Sequence, residues 1–553
     1  MTVLLLCTAF NGLSQRVWCD LRESGTEVYL HLDTDDDALR AAIRQTSPRL
    51  ILAPYLKRRV PADICAQVPT VILHPGPPGD RGPSALDWAL LRAVPTWGVT
   101  AVRADEVLDA GDVYGFQTFP LRKASKSSVY GDEVTDAAAR LALLVVRRSA
   151  DPGFCPVPQS ELVALGQFNP ALTSAERRVS FADQDTETLL RAIRASDGRP
   201  GSRAVLGDRD LLVFGAHRET RLKVRRGELR WQRNGAVLVG TLDGALWIGA
   251  AREPGRGTVK LPAADLLGLQ LPESTLTPWT QDPPGLTFRD LRFVRYGQVG
   301  VVQFDFLNGA LSTDRARRLL SALRYALDQD TRVVVLQGGR TAFCNGIDLN
   351  TIEASARPAA AAWDNIQAIN DVCSVLTTAR QLTIAALGGN AGAGGAMLPL
   401  AADLVLARAG VVLNPHYRHM GLTGSELWTY HLPRRVGPEQ ATRLTESCLP
   451  LSSEQALGLE LVDAVLPRDW SSFQQVVLER AQELAHRSAG EQMLRHKLAR
   501  LSADFTRTPL KSYLARELKA MRRQFFEDDL GFQALRAAFV RGLPQAGKMQ
   551  TSA

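Results

Sequence analysis

The sequence predicts an α/β protein built from several units: an α/β domain, then a small β-barrel or sheet, then a second α/β unit. Three observations lead there. The chain has 553 residues, more than one core fills when a domain averages roughly 150 residues. Its first part alternates short apolar runs with helical patterns. Between residues 200 and 270 the pattern changes to alternating strands, interrupted at Asn234-Gly235 and Asp243-Gly244, dipeptides suited to tight β-hairpin turns.

In chain order, VLLLCTA, EVYLHL, RLILAPYL, TVILHP and WGVTAV read as strands. LDWALLRA and the segment from Val134 to Arg148 carry helical periodicity. RWQRNGAVLVGTLDGALWIGA supplies the β-rich middle. Thr275 to Thr287, rich in proline and threonine, reads as a linker. After it FVRYGQVGVVQFDF reads as a strand, TDRARRLLSALRYALDQ as a helix and RVVVLQGG as a strand, ending in the turn AFCNGIDL. The expected domains are 1–155, 156–274 and 285–553. No repeat or low-complexity tract appears.

Composition narrows the function. With 45% hydrophobic and 22% charged residues the chain is ordinary globular material. A net charge of +7 invites a nucleic-acid partner, but the basic pairs are scattered and no basic, aromatic-interleaved stripe exists. Anionic small molecules account for the surplus equally well. The seven cysteines include no C-x-x-C and none lies at zinc-finger spacing with a histidine, so reduced thiols in the cytoplasm and no metal are expected. The start, MTVLLLCTAFN, lacks a basic n-region and reads as a first strand rather than a signal peptide. The uncharged run Gln381 to Ala402 is long enough to mimic a membrane span, but its five glycines and Pro399 suit an oxyanion-forming turn better. No membrane or nucleic-acid partner is expected.

The first chemical motif is LHPGPPGDRGPSALDWA, Leu73 to Ala89. His74 ends a buried strand, and PGPPGDRGP continues neither strand nor helix, so the imidazole stands at the carboxyl edge of a parallel sheet, where ligands bind. Asp109, in LDAGD after the strand WGVTAV, is placed to meet His74. A histidine held by a carboxylate is a general base of fixed tautomer. This half resembles the formyltransferases that use 10-formyltetrahydrofolate, whose loop reads roughly H-x-S-L-L-P-x-x-x-G-x-x-P, followed by G-V-T and L-D-x-G-D. The chain carries His74, Arg81-Gly82-Pro83, Gly98-Val99-Thr100 and Asp109-Ala110-Gly111-Asp112. The resemblance implies His74 and Asp109 as catalytic, with the formyl-folate near Leu52, Tyr55, Leu56 and Arg81. It departs at Ile72, where the family places an oxyanion-holding asparagine. IRASDGRPGS, Ile193 to Ser202, resembles the start of that family's accessory β-barrel.

The second motif joins AFCNGIDL, Ala342 to Leu349, to GGNAGAGGAMLPLAAD, Gly388 to Asp403. A thioester carbonyl becomes reactive when two backbone N–H groups meet its oxygen. The amide of Ile347 offers one; Gly394, expected at the head of a buried helix, offers the other. These residues look like the crotonase (enoyl-CoA hydratase/isomerase) superfamily, which implies a coenzyme A site and a spiral ββα core. The two glutamates with which hydratases add water align with Met397 and His416, and a thioether shuttles no proton. The nearby NPHYRHMGLTGSELWTYHLPRRVG contains Tyr417, Glu426 and Tyr430; the last two lie four apart, hence on one expected helical face.

Both halves together resemble the HypX/HoxX family of hydrogenase maturation proteins. That implies a formyltransferase-like Rossmann-type domain, a small β-barrel domain and a crotonase-like ββα spiral domain. The family is associated with making carbon monoxide for the iron of [NiFe]-hydrogenase, here by formyl transfer from 10-formyltetrahydrofolate to coenzyme A and decarbonylation of formyl-CoA. Tyr417, Glu426, Tyr430 or His416 would be the base. Ser14, Gln15, Arg16 and Ser196 are candidate coenzyme A contacts, and other maturation proteins are possible partners. The alternatives are a formyl-folate hydrolase or formyl-CoA synthase without decarbonylation, and a non-catalytic maturation scaffold, which Ile72 and Met397 favour.

Overall fold

The computed structural model describes residues 1–274, 279–280 and 285–543. The stretches 275–278 and 281–284 of the expected linker therefore lie outside the described residues. The first unit is a six-stranded sheet of β1 (Thr2–Cys7), β2 (Glu27–Leu32), β3 (Leu50–Tyr55), β4 (Thr70–His74), β5 (Thr96–Arg103) and β6 (Val113–Pro120), in the order β2-β1-β3-β4-β5-β6. The first four strands are parallel; β5 and β6 turn antiparallel. The helix Gly12–Glu23 starts where Asn11 accepts the Ser14 N–H through its side chain at 3.0 Å, a cap that satisfies an otherwise orphaned donor. Its buried residues Leu13, Val17 and Leu21 recur at helical spacing and join the core of the sheet.

The middle unit is an antiparallel sheet in the order Ser202–Leu206, Arg209–Glu219, Ala245–Arg252, Ala236–Gly240, Leu229–Arg233, with Leu261–Pro262 at its side. Asn234 and Gly235 both take positive φ, 51° and 81°, the left-handed pair that a two-residue hairpin needs. Asp243-Gly244 behaves differently. It lies in a four-residue connection between Gly240 and Ala245, and the Asp243 carboxylate accepts the Thr186 N–H at 2.8 Å instead. The end of the linker is fastened to this sheet, for the Thr287 hydroxyl donates to Glu219 at 2.6 Å and accepts from Arg233 at 2.8 Å.

The third unit holds two sheets. FVRYGQVGVVQFDF is not one strand but a hairpin, Leu291–Tyr296 and Val299–Phe304, turning at Gly297 with φ 61°. The large sheet continues through Val333–Gln337, Leu382–Leu387, Leu404–Arg408 and Ala464–Leu466, all parallel. The small sheet contains Ala342–Cys344, Asn390–Gly392 and Val412–Asn414, with Leu451–Ser452 antiparallel at its end. Three successive passes of the chain thus give one strand to the large sheet and the next to the small one. Each small-sheet strand then ends in a turn at the same edge: Asn345-Gly346-Ile347, Ala393-Gly394 and Pro415-His416-Tyr417. Among the described residues no helix is long and apolar enough to cross a membrane.

The first and third units are joined through Asp132. It sits in a π-helical turn, Tyr130–Val134, and is 3% exposed. Its carboxylate meets Arg408 at 2.9 Å, Arg468 at 2.8 Å and Arg340, all from the third unit. Burial favours the neutral acid, yet the three guanidinium groups hold its carboxyl below the usual range. Removing one partner of such a cluster strands buried charges, which typically costs about 3–5 kcal/mol. Asp132→Ala is therefore expected to lower stability by about that amount; a denaturation midpoint equal to wild type would show the cluster to be energetically idle.

Candidate active sites

In the formyltransferase-like half, β4 delivers His74 to the sheet edge with the ring 5% exposed. Two side bonds fix the backbone that follows: Trp97 Nε1 donates to the Pro75 carbonyl at 2.8 Å and Thr100 Oγ1 to that of Gly76 at 2.7 Å. His74 Nδ1 lies 3.5 Å from Asp109 Oδ2, so the predicted pair does meet. The shorter contact is one that sequence reasoning missed. His74 Nε2 stands 2.8 Å from Asp80 Oδ2, and Asp80 is buried. The signal was present in the loop, since Asp80 is the acid in PGPPGDRGP. A Cβ on Gly76 would sit 2.4 Å from Asp80 Oδ2 and 2.6 Å from His74 Nε2, so only glycine permits this approach.

Asp109 takes φ 57°, a left-handed conformation that aspartate tolerates better than most residues. Gln159 holds the loop by donating to the carbonyls of Asp109 and Gly111 at 2.7 and 3.1 Å. Asn169 donates to Asp80 Oδ1 at 2.9 Å. Both come from the segment after the first sheet, which folds back across the loop, its Leu165 N–H bonding to the Pro78 carbonyl. Ile72 packs in the apolar cluster behind the sheet and offers no oxyanion donor.

Of the folate candidates, Tyr55 ends β3 and meets the Tyr130 ring edge-on, and Leu56 follows it. Arg81 pairs through its backbone with Phe168. Leu52 is a correction: it is wholly buried in the domain core and its side chain lines no site.

All four coenzyme A candidates are engaged by the protein itself. Ser14 is wholly buried and donates to the Ala9 carbonyl at 3.4 Å, Arg16 Nε binds Asp20 at 2.7 Å, and Ser196 accepts from Arg177 at 3.1 Å. Gln15 bridges the halves, donating to the Phe10 carbonyl at 2.9 Å and accepting from Asn414 at 3.4 Å. A Cβ on Gly12, one turn earlier, would lie 2.9 Å from Asn390 Nδ2. The helix that leaves the first sheet's ligand edge therefore ends up against the small sheet of the third unit.

In the crotonase-like half, a Cβ on Gly346 would lie 3.2 Å from the Gly394 nitrogen, which sets the turns carrying the Ile347 and Gly394 amides against each other. Gly394 does not head a buried α-helix as expected. It lies in a short 3-10 turn, Ala393–Ala396, followed by another at Leu398–Ala401, because Pro399 withholds a donor from any longer helix. Met397 is 2% exposed in the core.

Glu426 is the carboxylate that reaches this turn. A Cβ on Gly394 would fall 2.0 Å from Glu426 Oε1. Glu426 Oε2 accepts from the Tyr417 hydroxyl at 2.8 Å and from the Ser425 N–H at 2.9 Å. Burial pushes its pKa up to about 7, although those two donors work the other way. Burial and the neighbouring Glu426 hold the Tyr417 hydroxyl well above its ordinary value, so it stays a donor. Gly394→Ala is accordingly expected to displace Glu426 and to abolish thioester turnover while leaving formyl transfer intact; parallel assays of the two half-reactions check it.

His416 lies beside the same edge, its Cε1 3.1 Å from where a Cβ on Gly392 would be. Its Nδ1 donates to the Asn414 carbonyl at 2.8 Å, because a carbonyl only accepts, and burial lowers its pKa. Tyr430 is a correction. The helix there runs from Trp428 to Val436, and Glu426 precedes it in a left-handed conformation, φ 63°, so the two share no helical face. The Tyr430 hydroxyl donates to Asp504 at 2.9 Å, among Phe505 and Tyr513, away from Glu426.

These folds and sites define a formyltransferase-like half joined to a crotonase-like half. Residues 171–265 match the family model "Formyl transferase, C-terminal domain", and residues 296–539 match "Enoyl-CoA hydratase/isomerase". The hydrogenase maturation factor HoxX of Bradyrhizobium diazoefficiens is 38% identical over 99% of this chain and 96% of its own. The crystal structure of HypX from Aquifex aeolicus in complex with tetrahydrofolic acid superimposes with a TM-score of 0.95 at 39% identity, covering 98% of this chain and 96% of that one. Methionyl-tRNA formyltransferase of Thermus thermophilus is 28% identical over 42% of this chain and 73% of its own length. The chain belongs to the HypX/HoxX family of hydrogenase maturation factors.

Proposed function

We propose that this protein makes carbon monoxide for hydrogenase maturation in two steps, with 10-formyltetrahydrofolate and coenzyme A as substrates. The tetrahydrofolic acid bound by the Aquifex relative supports a folate donor at His74, and the enoyl-CoA hydratase/isomerase match supports a coenzyme A thioester in the other half. At His74 the ring takes the thiol proton and the thiolate attacks the formyl carbon. Asp80 and Asp109 orient the ring so that it can hand the proton to the departing folate nitrogen. The products are formyl-CoA and tetrahydrofolate.

In the second step the Ile347 and Gly394 amides polarise the formyl oxygen, and Glu426 removes the formyl hydrogen. The electron pair of that C–H bond becomes the carbon lone pair of CO as the C–S bond breaks. The thiolate then recovers the proton from Glu426, leaving CO and coenzyme A. The observation that carries this reading is Glu426 itself: one buried carboxylate, poised to titrate near neutrality, in contact with the oxyanion turn, where the hydratase acids are replaced by Met397 and His416. Tyr417 steadies the carboxylate and keeps its proton, and the Tyr430 hydroxyl is committed to Asp504.

Incubating the protein with formyl-folate and coenzyme A and trapping gas on haem tests the proposal. CO stoichiometric with folate release is expected. Formate as the sole product would sink the decarbonylation step, and formyl-CoA as the end product would leave a formyl-CoA synthase.

A further inference from the structure

The geometry points to Glu517, on the helix Leu510–Phe526, as the positioning residue for Glu426: it holds the turn that aims the Glu426 carboxylate. The inference rests on Glu426 being the base of the second step.

Glu426 and Leu427 are consecutive non-glycine residues at positive φ, 63° and 58°. A Cβ crowds the backbone in that conformation, so two in succession persist only where surrounding bonds over-determine them. Glu517 supplies most of those bonds. Its Oε2 accepts the Leu427 N–H at 3.0 Å and the Ser425 hydroxyl at 3.0 Å; its Oε1 accepts the Thr429 N–H at 2.9 Å and the Thr429 hydroxyl at 2.6 Å. Asn370 completes the frame: its Oδ1 accepts the Glu426 N–H at 2.9 Å, while its Nδ2 donates to Ser425 Oγ at 2.9 Å. The Ser425 hydroxyl hydrogen has two acceptors in reach, Glu517 Oε2 at 3.0 Å and Asn370 Oδ1 at 3.1 Å. The frame is dry, with Ser425, Asn370 and Glu517 no more than 3% exposed.

A buried carboxylate 90 residues away in sequence is an expensive way to hold a turn, since backbone carbonyls would accept the same hydrogens without a charge. The charge has a second effect. Glu517 adds to the burial that raises the Glu426 pKa, and a base of higher pKa takes a carbon-bound hydrogen more readily. The other groups facing Glu426 are Tyr417, from the 3-10 turn Tyr417–Met420, Cys344, from the strand Ala342–Cys344, and Cys373, from the helix Pro358–Thr378. Burial keeps all three protonated; it raises the Glu517 pKa too, while the hydrogen bonds from Thr429, Ser425 and Leu427 favour its charged form, and in that form Glu517 is the group whose charge acts on Glu426.

Glu517→Gln removes the charge and keeps the volume, at the cost of turning its amide NH2 toward one of the two backbone N–H groups, of Leu427 or Thr429. Three readouts apply: CO release from supplied formyl-CoA across pH, the infrared C=O band of protonated Glu426 (assigned by its loss in Glu426→Gln), and formyl transfer as a fold control. The acid limb of CO release and the infrared midpoint are both expected to move to lower pH by about half a unit or more. kcat should fall about tenfold with KM unchanged and formyl transfer should keep its wild-type rate. Thr429→Val, which removes one bond to Glu517 and no charge, should lower kcat several-fold without moving either midpoint. An infrared midpoint unmoved in Glu517→Gln overturns the role of Glu517 whether or not CO is made. If that variant does not fold, a wild-type kcat in Thr429→Val overturns it. No CO from the wild-type protein overturns the two-step reading alone, and the infrared titration then still decides the role of Glu517.

Discussion

Glu426→Gln should stop CO release while formyl-CoA accumulates. The substitution keeps the volume and the acceptor for Tyr417 but removes the group that receives the formyl hydrogen. Positioned general bases contribute about 10²–10⁴-fold, so CO release from supplied formyl-CoA should fall by that factor. Release by the wild-type protein should also depend on pH in one direction. The raised pKa of Glu426, about 7, means that the carboxyl is protonated and inert below that value, and the rate should climb tenfold per unit until it levels off above it. A rate independent of pH between 5.5 and 7.5, roughly one and a half units below the midpoint to half a unit above, would assign the proton transfer to another group. So would normal CO release by the glutamine variant.

The opposite pattern is expected for His74→Ala. Formyl transfer should fall by about 10²–10⁴-fold, while CO release from supplied formyl-CoA should proceed at the wild-type rate. The geometry gives the reason: His74 is the proposed nitrogen base at the sheet edge, with Asp80 2.8 Å from its Nε2 and Asp109 3.5 Å from its Nδ1. Removing the ring also leaves Asp80 and Asp109 facing a cavity, so a melting curve must accompany the kinetics. Undiminished transfer by a folded His74→Ala protein would exclude the ring from the chemistry. Together the two variants separate the halves, since one blocks entry of the formyl group and the other its exit as CO.

The contrast between residues whose placement was legible in the sequence and those whose placement was not follows the range of the interactions. His74 and Asp109 were legible because the chemistry of a strand ending in proline and of an acidic turn is local, and the resemblance to formyltransferases marked both. Asp80 was not, although it is only six residues from His74. Its approach depends on the space left by Gly76 and on Asn169, which returns from a different segment. Ile347 and Gly394 were read from glycine turns after apolar strands, and the alternation of large-sheet and small-sheet strands accounts for their meeting. Glu426 was one of four candidates that periodicity could not rank. Counting four residues to Tyr430 assumed a helix that begins only at Trp428, because a left-handed kink has no hydrophobic period. The coenzyme A candidates show the same limit: a serine or arginine looks the same in sequence whether it faces a ligand or, as Ser14 and Arg16 in the helix Gly12–Glu23 and Ser196 at the end of the helix Thr186–Ser196 do, its own protein.

The sequence by itself determined the class of each unit, the hairpin at Asn234-Gly235, the histidine at the sheet edge and the pair of facing glycine turns, for these are written in apolar period, proline, glycine and short motifs. Only the tertiary structure decided which carboxylates lie against His74 and against the Gly394 turn. Asp80 and Glu426 owe those positions to partners such as Asn169 and Glu517, tens of residues away. Solvation and through-space charge depend on distances in the folded chain, and spacing along the sequence does not encode them.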